Sequence, residues 1–309
     1  MSSASVSQPY DEFGLFHENA AEWGLPYDGP PTVRRERVEF APGRHVSALV
    51  WGDAPPELVL LHGGAQNAHT WDTVALALDR PLVAVDLPGH GHSDATEELF
   101  SPRAFAAAVE VAVRRLAPDA AAVMGMSLGG LTSIALAGRA PELVRTLFLV
   151  DVLPSINKER AAPIGEFVNG PESFASFDEI LERTMAFNPT RSESSLRRGI
   201  LHNAVQRDDG SWVWRHQQSW KPSERAAAEA EAVPDFDSLW DELAGYEGPM
   251  LLIYGTTQAS IIDDDALAEL GRRRIGTPTV AVHDAGHSIQ GDQPLVLAQV
   301  VTDFLAALP

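Results

Sequence analysis

The chain has no cysteine in its 309 residues. That removes disulfides, thiolate nucleophiles and cysteine-ligated metal from its chemistry, while saying little about compartment. Positive charge is scarce as well. The 23 Lys and Arg residues stand against 43 Asp and Glu, a formal net charge of −20. A surface of that sign repels phosphate backbones and anionic lipid, so neither nucleic acid nor a membrane is an expected partner. No apolar run approaches the roughly 20 residues that cross a bilayer. Residues 1–8 hold neither the basic segment nor the apolar core of a secretory leader, so a cytoplasmic location is the expectation. Internal repeats and low-complexity linkers are also missing.

What is present is a rhythm. Short apolar runs at 58–61, 82–85, 120–124, 147–150, 249–254 and 278–283 have strand length and composition. Helical patterns separate most of them. In residues 102–116, for example, Phe105, Val109, Ala112, Val113 and Leu116 are spaced for one helix face. Residues 37–40 and 45–51 read as a hairpin around Pro42-Gly43. With 45% hydrophobic residues the chain can fill one large core. Strands alternating with helices imply right-handed crossovers, hence an α/β fold with a doubly wound, mostly parallel sheet. Functional groups in such sheets gather beyond the carboxyl ends of the strands. His62-Gly63-Gly64, Asp86, Ser127 and Asp151 all fall there.

Two stretches break the rhythm. Residues 152–245 are far longer than a crossover needs, polar and rich in helix formers, with Trp212-Val213-Trp214 the one strand-like run. Phe236, Leu239, Trp240 and Leu243 then return to helical spacing. This segment reads as a helical cap inserted between the sixth and seventh strands. Residues 1–31 carry Tyr10, Phe13, Phe16, Trp23 and Tyr27, too many aromatics for a disordered tail. They read as an N-terminal arm laid on the domain surface, with a cap contact or a homodimer contact as the alternative. The expected division is therefore an arm at 1–31, a core at 32–151 and 246–309, and a cap at 152–245.

The chain is organised around Gly125-Met126-Ser127-Leu128-Gly129-Gly130, which follows a strand-like run and precedes a helix-competent one. A strand that reverses into a helix within a few residues brings backbones too close for a Cβ two positions either side of the serine, and glycine meets that demand. Ser127 would stand exposed at the sheet's end, where the helix N-terminus favours developing negative charge. A serine hydroxyl attacks well only when a base takes its proton.

A serine turn of this kind, followed late in the chain by Ala285-Gly286-His287-Ser288 after the final strand, resembles the α/β-hydrolase fold superfamily. His62-Gly63-Gly64 is similar to that family's oxyanion loop, and Asp86-Leu87-Pro88-Gly89-His90-Gly91-His92-Ser93 to its next loop. The nearest likeness is to capped esterases, lactonases and carbon–carbon bond hydrolases. The resemblance implies Ser127 as nucleophile, His287 as base, and the amides of Leu128 and Gly64 as oxyanion donors. It implies no cofactor and no metal; His90 and His92 beside Asp86 lack a third histidine placed to close a site.

The acid is the open member. The family's usual position lies just after the seventh strand, and Gly255-Thr256-Thr257-Gln258-Ala259-Ser260 offers no carboxylate there. Asp263 is the first acid beyond, yet Asp263-Asp264-Asp265 also suits the start of a helix. Asp151, at the end of the sixth strand, is the preferred acid, with Asp263 the alternative. Serine rather than aspartate at the turn speaks against haloalkane dehalogenases and epoxide hydrolases. His69, Trp71, His202, Trp212 and Trp214 are candidate substrate walls for a small, apolar or aromatic substrate. Arg191, Arg197, Arg198 or Arg215 offers a place for one carboxylate. The expected function is hydrolysis of small esters or lactones through an acyl-enzyme. Hydrolysis of vinylogous diketones at a carbon–carbon bond, or small-molecule binding without catalysis, are the alternatives.

Overall fold

The computed structural model describes residues 10–97, 101–155, 157–218 and 236–308. The core strands are β1 (Val33–Ala41), β2 (Arg44–Trp51), β3 (Leu58–Leu61), β4 (Leu82–Val85), β5 (Ala122–Met126) and β6 (Leu147–Val150). After a two-stranded hairpin in the insertion, β7 (Ala204–Gln206) and β8 (Trp212–Trp214), come β9 (Met250–Gly255) and β10 (Thr279–Val282). The large sheet runs β1-β2-β4-β3-β5-β6-β9-β10. β2 is antiparallel to β1 and to β4, and every other neighbouring pair is parallel.

The central strands are apolar throughout because both sheet faces are covered. Val59 and Leu61 enter the core under α3 (Pro102–Leu116) and α4 (Leu128–Arg139). Leu58 and Leu60, pointing the other way, pack with α2 (Asp72–Leu78) and with the C-terminal helix Pro294–Ala306. β5 lies two residues later than its apolar run suggested. The sheet ladder, which pairs Met126 with Val150, carries the strand directly into Ser127.

The arm is not a loose appendage. Its helix α1 (Phe16–Trp23) sinks Phe16 into the second core layer, 4.9 Å ring to ring from Trp51. Its charged side reaches α7 (Glu193–Asn203) of the insertion. There Arg197 holds both oxygens of Glu18 at 2.8 and 2.7 Å, and Arg198 pairs with Glu22. Residues 1–9 of the arm lie outside the described residues.

The insertion contains α5 (Lys158–Val168), α6 (Phe177–Phe187), α7, the β7–β8 hairpin and the short α8 (Arg215–Gln218). Three residues of β7 were too short a run to register in the sequence. Phe174, Ile180, Ile200, Ala204 and Trp214 form a small core of its own. Residues 219–235 lie outside the description. The chain returns through α9 (Trp240–Gly245), then α10 (Asp264–Arg273) after β9, α11 (Ile289–Asp292) after β10, and α12 (Pro294–Ala306). No helix among the described residues is long and apolar enough to cross a membrane.

Candidate active site

Backbone strain marks the site before any side chain does. Among the described residues, five that are not glycine have positive φ, and four of them follow the carboxyl ends of parallel strands: Ala65 after β3, Ser127 after β5, Asp151 after β6 and Asp284 after β10. Such conformations cost on the order of 1–3 kcal/mol each and persist where the surroundings impose them.

At Ser127 the imposition is visible. φ is 51° and ψ is −120°. A Cβ on Gly129 would come within 2.2 Å of the Leu61 carbonyl oxygen, so only glycine lets α4 start so close to β3. Leu128 opens α4, and its amide therefore has no partner within the helix. Gly64 and Leu128 border the cleft that Ser127 faces. That loop is pinned by His62, whose Nδ1 donates to the Gly63 carbonyl at 2.7 Å while Nε2 accepts from the Leu87 amide at 2.9 Å. Burial pushes the His62 ring down to about 3, which keeps it neutral in this double role.

His287 follows β10 and borders the same cleft. Its Nδ1 donates to Asp151 Oδ2 at 2.8 Å, which leaves Nε2 as the nitrogen free to serve a hydroxyl. Asp151 is wholly buried. Its carboxylate also accepts from the Gly255 amide at 3.0 Å, the Ser260 hydroxyl at 2.5 Å and the Ile261 amide at 3.0 Å. The loop after β9, which lacks the usual acid, thus supplies donors to an acid on the neighbouring strand. Gly255 allows the approach, because a Cβ there would sit 2.4 Å from the Ala285 carbonyl oxygen in the histidine loop. Asp263 is elsewhere. Its Oδ1 caps α10 through the Ala266 amide at 2.8 Å, and its Oδ2 accepts from Asn157 Nδ2 at 2.6 Å. That hydrogen bond and the cap hold its carboxyl below the usual range. The alternative acid of the sequence reading is therefore a helix cap.

A model of the alpha/beta hydrolase family matches residues 58–300, which takes in the serine turn, Asp151 and His287. The chain belongs to that family. The alpha/beta hydrolase chain is 42% identical over 304 residues to esterase Rv0045c of Mycobacterium tuberculosis, covering 96% of each. A structure of that esterase, refined in a study of its inhibition by transition metals, is similar at TM-score 0.80 and 40% identity, over 97% of this chain and 100% of that one. A 3-hydroxybutyrate-oligomer hydrolase of Cupriavidus necator is 29% identical over 270 residues, 83% of this chain and 92% of that one. Like its family, this alpha/beta hydrolase is an enzyme that hydrolyses its substrate.

The remaining candidates divide. His69, His202 and Trp214 border the cleft of this hydrolase. Trp71 does not; it is fully buried in the core between sheet and helix. Trp212 packs edge-on against Phe177 in the insertion's own core and is not part of the cleft wall. Both indoles follow apolar residues into a core, a fate that composition alone does not distinguish from a binding role. Asp86 pairs with Arg35 at 2.6 Å and accepts from the amides of Ala68 and His92, so it braces loops.

His69 and His202 belong to a buried clasp joining arm, core and insertion. Their rings stack 3.8 Å apart at 11°. His69 Nδ1 lies 2.9 Å from Asp72 Oδ2 and its Nε2 3.1 Å from Glu12 Oε1, while the Tyr10 hydroxyl is 2.7 Å from His202 Nδ1. The sequence offered no signal for Tyr10 or Glu12 here. His69, Asp72 and His202 are the group among the described residues whose donor atoms are near enough to hold a metal, within 4.8 Å of one another. Burial works against the His69 cation. The Asp72 charge and hydrogen bonds to Asp72 and Glu12 outweigh it and raise the ring to about 9. A raised pKa means that this contribution to stability is complete below the unfolded value of about 6.5 and is lost as pH climbs through about 9. Thermal unfolding followed from pH 6 to pH 10 should show a fall in wild-type Tm that His69→Gln largely lacks.

Proposed function

We propose that the protein is a serine esterase that cleaves small esters or lactones through an acyl-enzyme on Ser127. The observation that carries this reading is the 2.8 Å bond from His287 Nδ1 to buried Asp151, on a ring that shares one cleft with the strained serine. The bond selects the tautomer in which Nε2 has its lone pair available. In the proposed reaction Ser127 Oγ attacks the ester carbonyl as its proton passes to His287 Nε2. The oxyanion that forms is met by the amides of Gly64 and Leu128 at the start of α4. Collapse of the tetrahedral species breaks the carbonyl–oxygen bond, and the alcohol leaves with the proton from His287. Water then attacks the acyl-enzyme as His287 takes its proton, the bond to Ser127 Oγ breaks, His287 returns the proton to that oxygen, and the acid is released.

Leu131, Ile164, Phe167, Phe187, Trp214 and Phe236 on the cleft walls support an apolar acyl or alcohol group. The relationship to an esterase at 42% identity supports ester chemistry in particular. A fluorophosphonate should therefore label the native protein at Ser127 and nowhere else, as read by peptide mass spectrometry. Folded protein that takes up no label would instead favour a binding protein built on this fold.

A further inference from the structure

Four arginines of the insertion were candidates for binding a carboxylate, and their surroundings differ. Arg197 is held by Glu18 and Arg198 by Glu22. Arg215 gives its Nε to the His202 carbonyl at 3.1 Å and lies away from the cleft wall. Arg191 alone of the four borders the cleft without an acid. Its Nη2 donates to the Ser195 hydroxyl at 2.6 Å. Its Nε is sealed from solvent without a hydrogen-bond partner. No carboxylate among the described residues comes within 4.0 Å of its guanidinium.

Asp292 and Glu22 lie near enough for their charges to act on Arg191, yet neither pairs with it. Asp292 accepts the Gly286 amide at 2.9 Å, and Glu22 is on Arg198. Burial weighs against the Arg191 charge and lowers its pKa, yet a guanidinium stays protonated at neutral pH. A desolvated cation whose side-chain hydrogen bond goes to a neutral hydroxyl is costly unless an anion completes it.

The placement points to the substrate as that anion. The guanidinium lies against Gly291 of α11, where an added Cβ would come within 2.8 Å of Cζ. α11 directly follows the His287 loop, so the cation stands where insertion and histidine loop meet over one cleft. A fork-shaped donor on the cleft wall with hydrogen-bonding capacity left over orients a ligand by its charged end.

We propose that Arg191 binds a carboxylate carried by the substrate, so that half-esters of dicarboxylic acids are the preferred class. This rests on the esterase reading of the same cleft.

The test compares two para-nitrophenyl esters of equal chain length, the half-ester of glutaric acid and the ester of pentanoic acid, with the neutral ester as each variant's own reference. The ratio of kcat/KM for anionic over neutral ester should fall about 10- to 100-fold in Arg191→Gln, the scale of one charge-assisted contact. Arg191→Lys, which keeps the charge but loses the fork, should fall between. In parallel, glutarate should bind the Ser127→Ala protein in calorimetry and not the Ser127→Ala, Arg191→Gln protein. An unchanged ratio in Arg191→Gln, or glutarate binding that ignores Arg191, overturns the proposal while leaving the esterase reading intact. Glutarate binding through Arg191 in a protein that turns over neither ester would support the site and remove the esterase reading.

Discussion

His287→Ala should lose about a millionfold in kcat on an aryl ester, the scale of loss when one member of a nucleophile–base pair that works as a unit is removed. The ring is needed twice in the proposed reaction, to take the Ser127 proton and to hand it to the leaving alcohol. Of the other histidines, His62 has both nitrogens engaged with the backbone, and His90 is buried with Nδ1 on the Pro88 carbonyl at 3.0 Å. His69 and His202 reach the cleft but belong to the arm clasp. Asp151 keeps its hydrogen bonds from Gly255, Ser260 and Ile261 when the ring is lost, so Tm should change by only a few degrees. Steady-state kinetics beside a thermal melt checks both halves. A variant that keeps a tenth of the wild-type rate would mean that His287 is not the base.

Asp151→Asn should lose about ten-thousandfold in kcat, whereas Asp263→Asn should stay within a fewfold of wild type. An amide facing His287 can hold the ring in the tautomer that presents N–H, not a lone pair, to the serine, and comparable triads lose about that factor. Asp151→Asn also disturbs a site that now accepts four hydrogen bonds, from His287, Gly255, Ser260 and Ile261, since its amide nitrogen cannot accept. Its Tm should fall too, and the kinetic loss should exceed what the unfolded fraction explains. At 263 asparagine caps a helix about as well as aspartate does, so α10 should survive the change. A crippled Asp263→Asn beside an active Asp151→Asn would reverse the assignment.

The two carboxylates also show how far the chain could be read without its fold. Asp263 is legible as a cap from its neighbours alone, because a cap is satisfied by the amide three residues on. Asp151 is not legible in that way. Its partners Ser260 and Ile261 lie 109 and 110 residues further along, and β6 and β9 become neighbours only when the sheet forms. The missing carboxylate between Gly255 and Ser260 was a usable hint, since an acid absent from one strand end must come from another. The donors that replace it were invisible.

The sequence by itself determined the features that depend on near neighbours in the chain. These are the alternation of apolar strands and helices, the glycines around Ser127, and the break in rhythm that marks the insertion. Each follows from the pitch of a strand or helix, or from clashes within a turn, and those are set within a handful of residues. The tertiary structure decided which distant groups meet. It placed Asp151 on His287, sent Trp71 and Trp212 into cores instead of the cleft, and drew Tyr10 onto His202, 192 residues away. It also left Arg191 without an acid while Arg197 and Arg198 found theirs on the arm. An arginine or indole carries the same local signal in every one of these settings. Only the packing of segments far apart in the chain decides whether it is covered, paired or left facing a ligand.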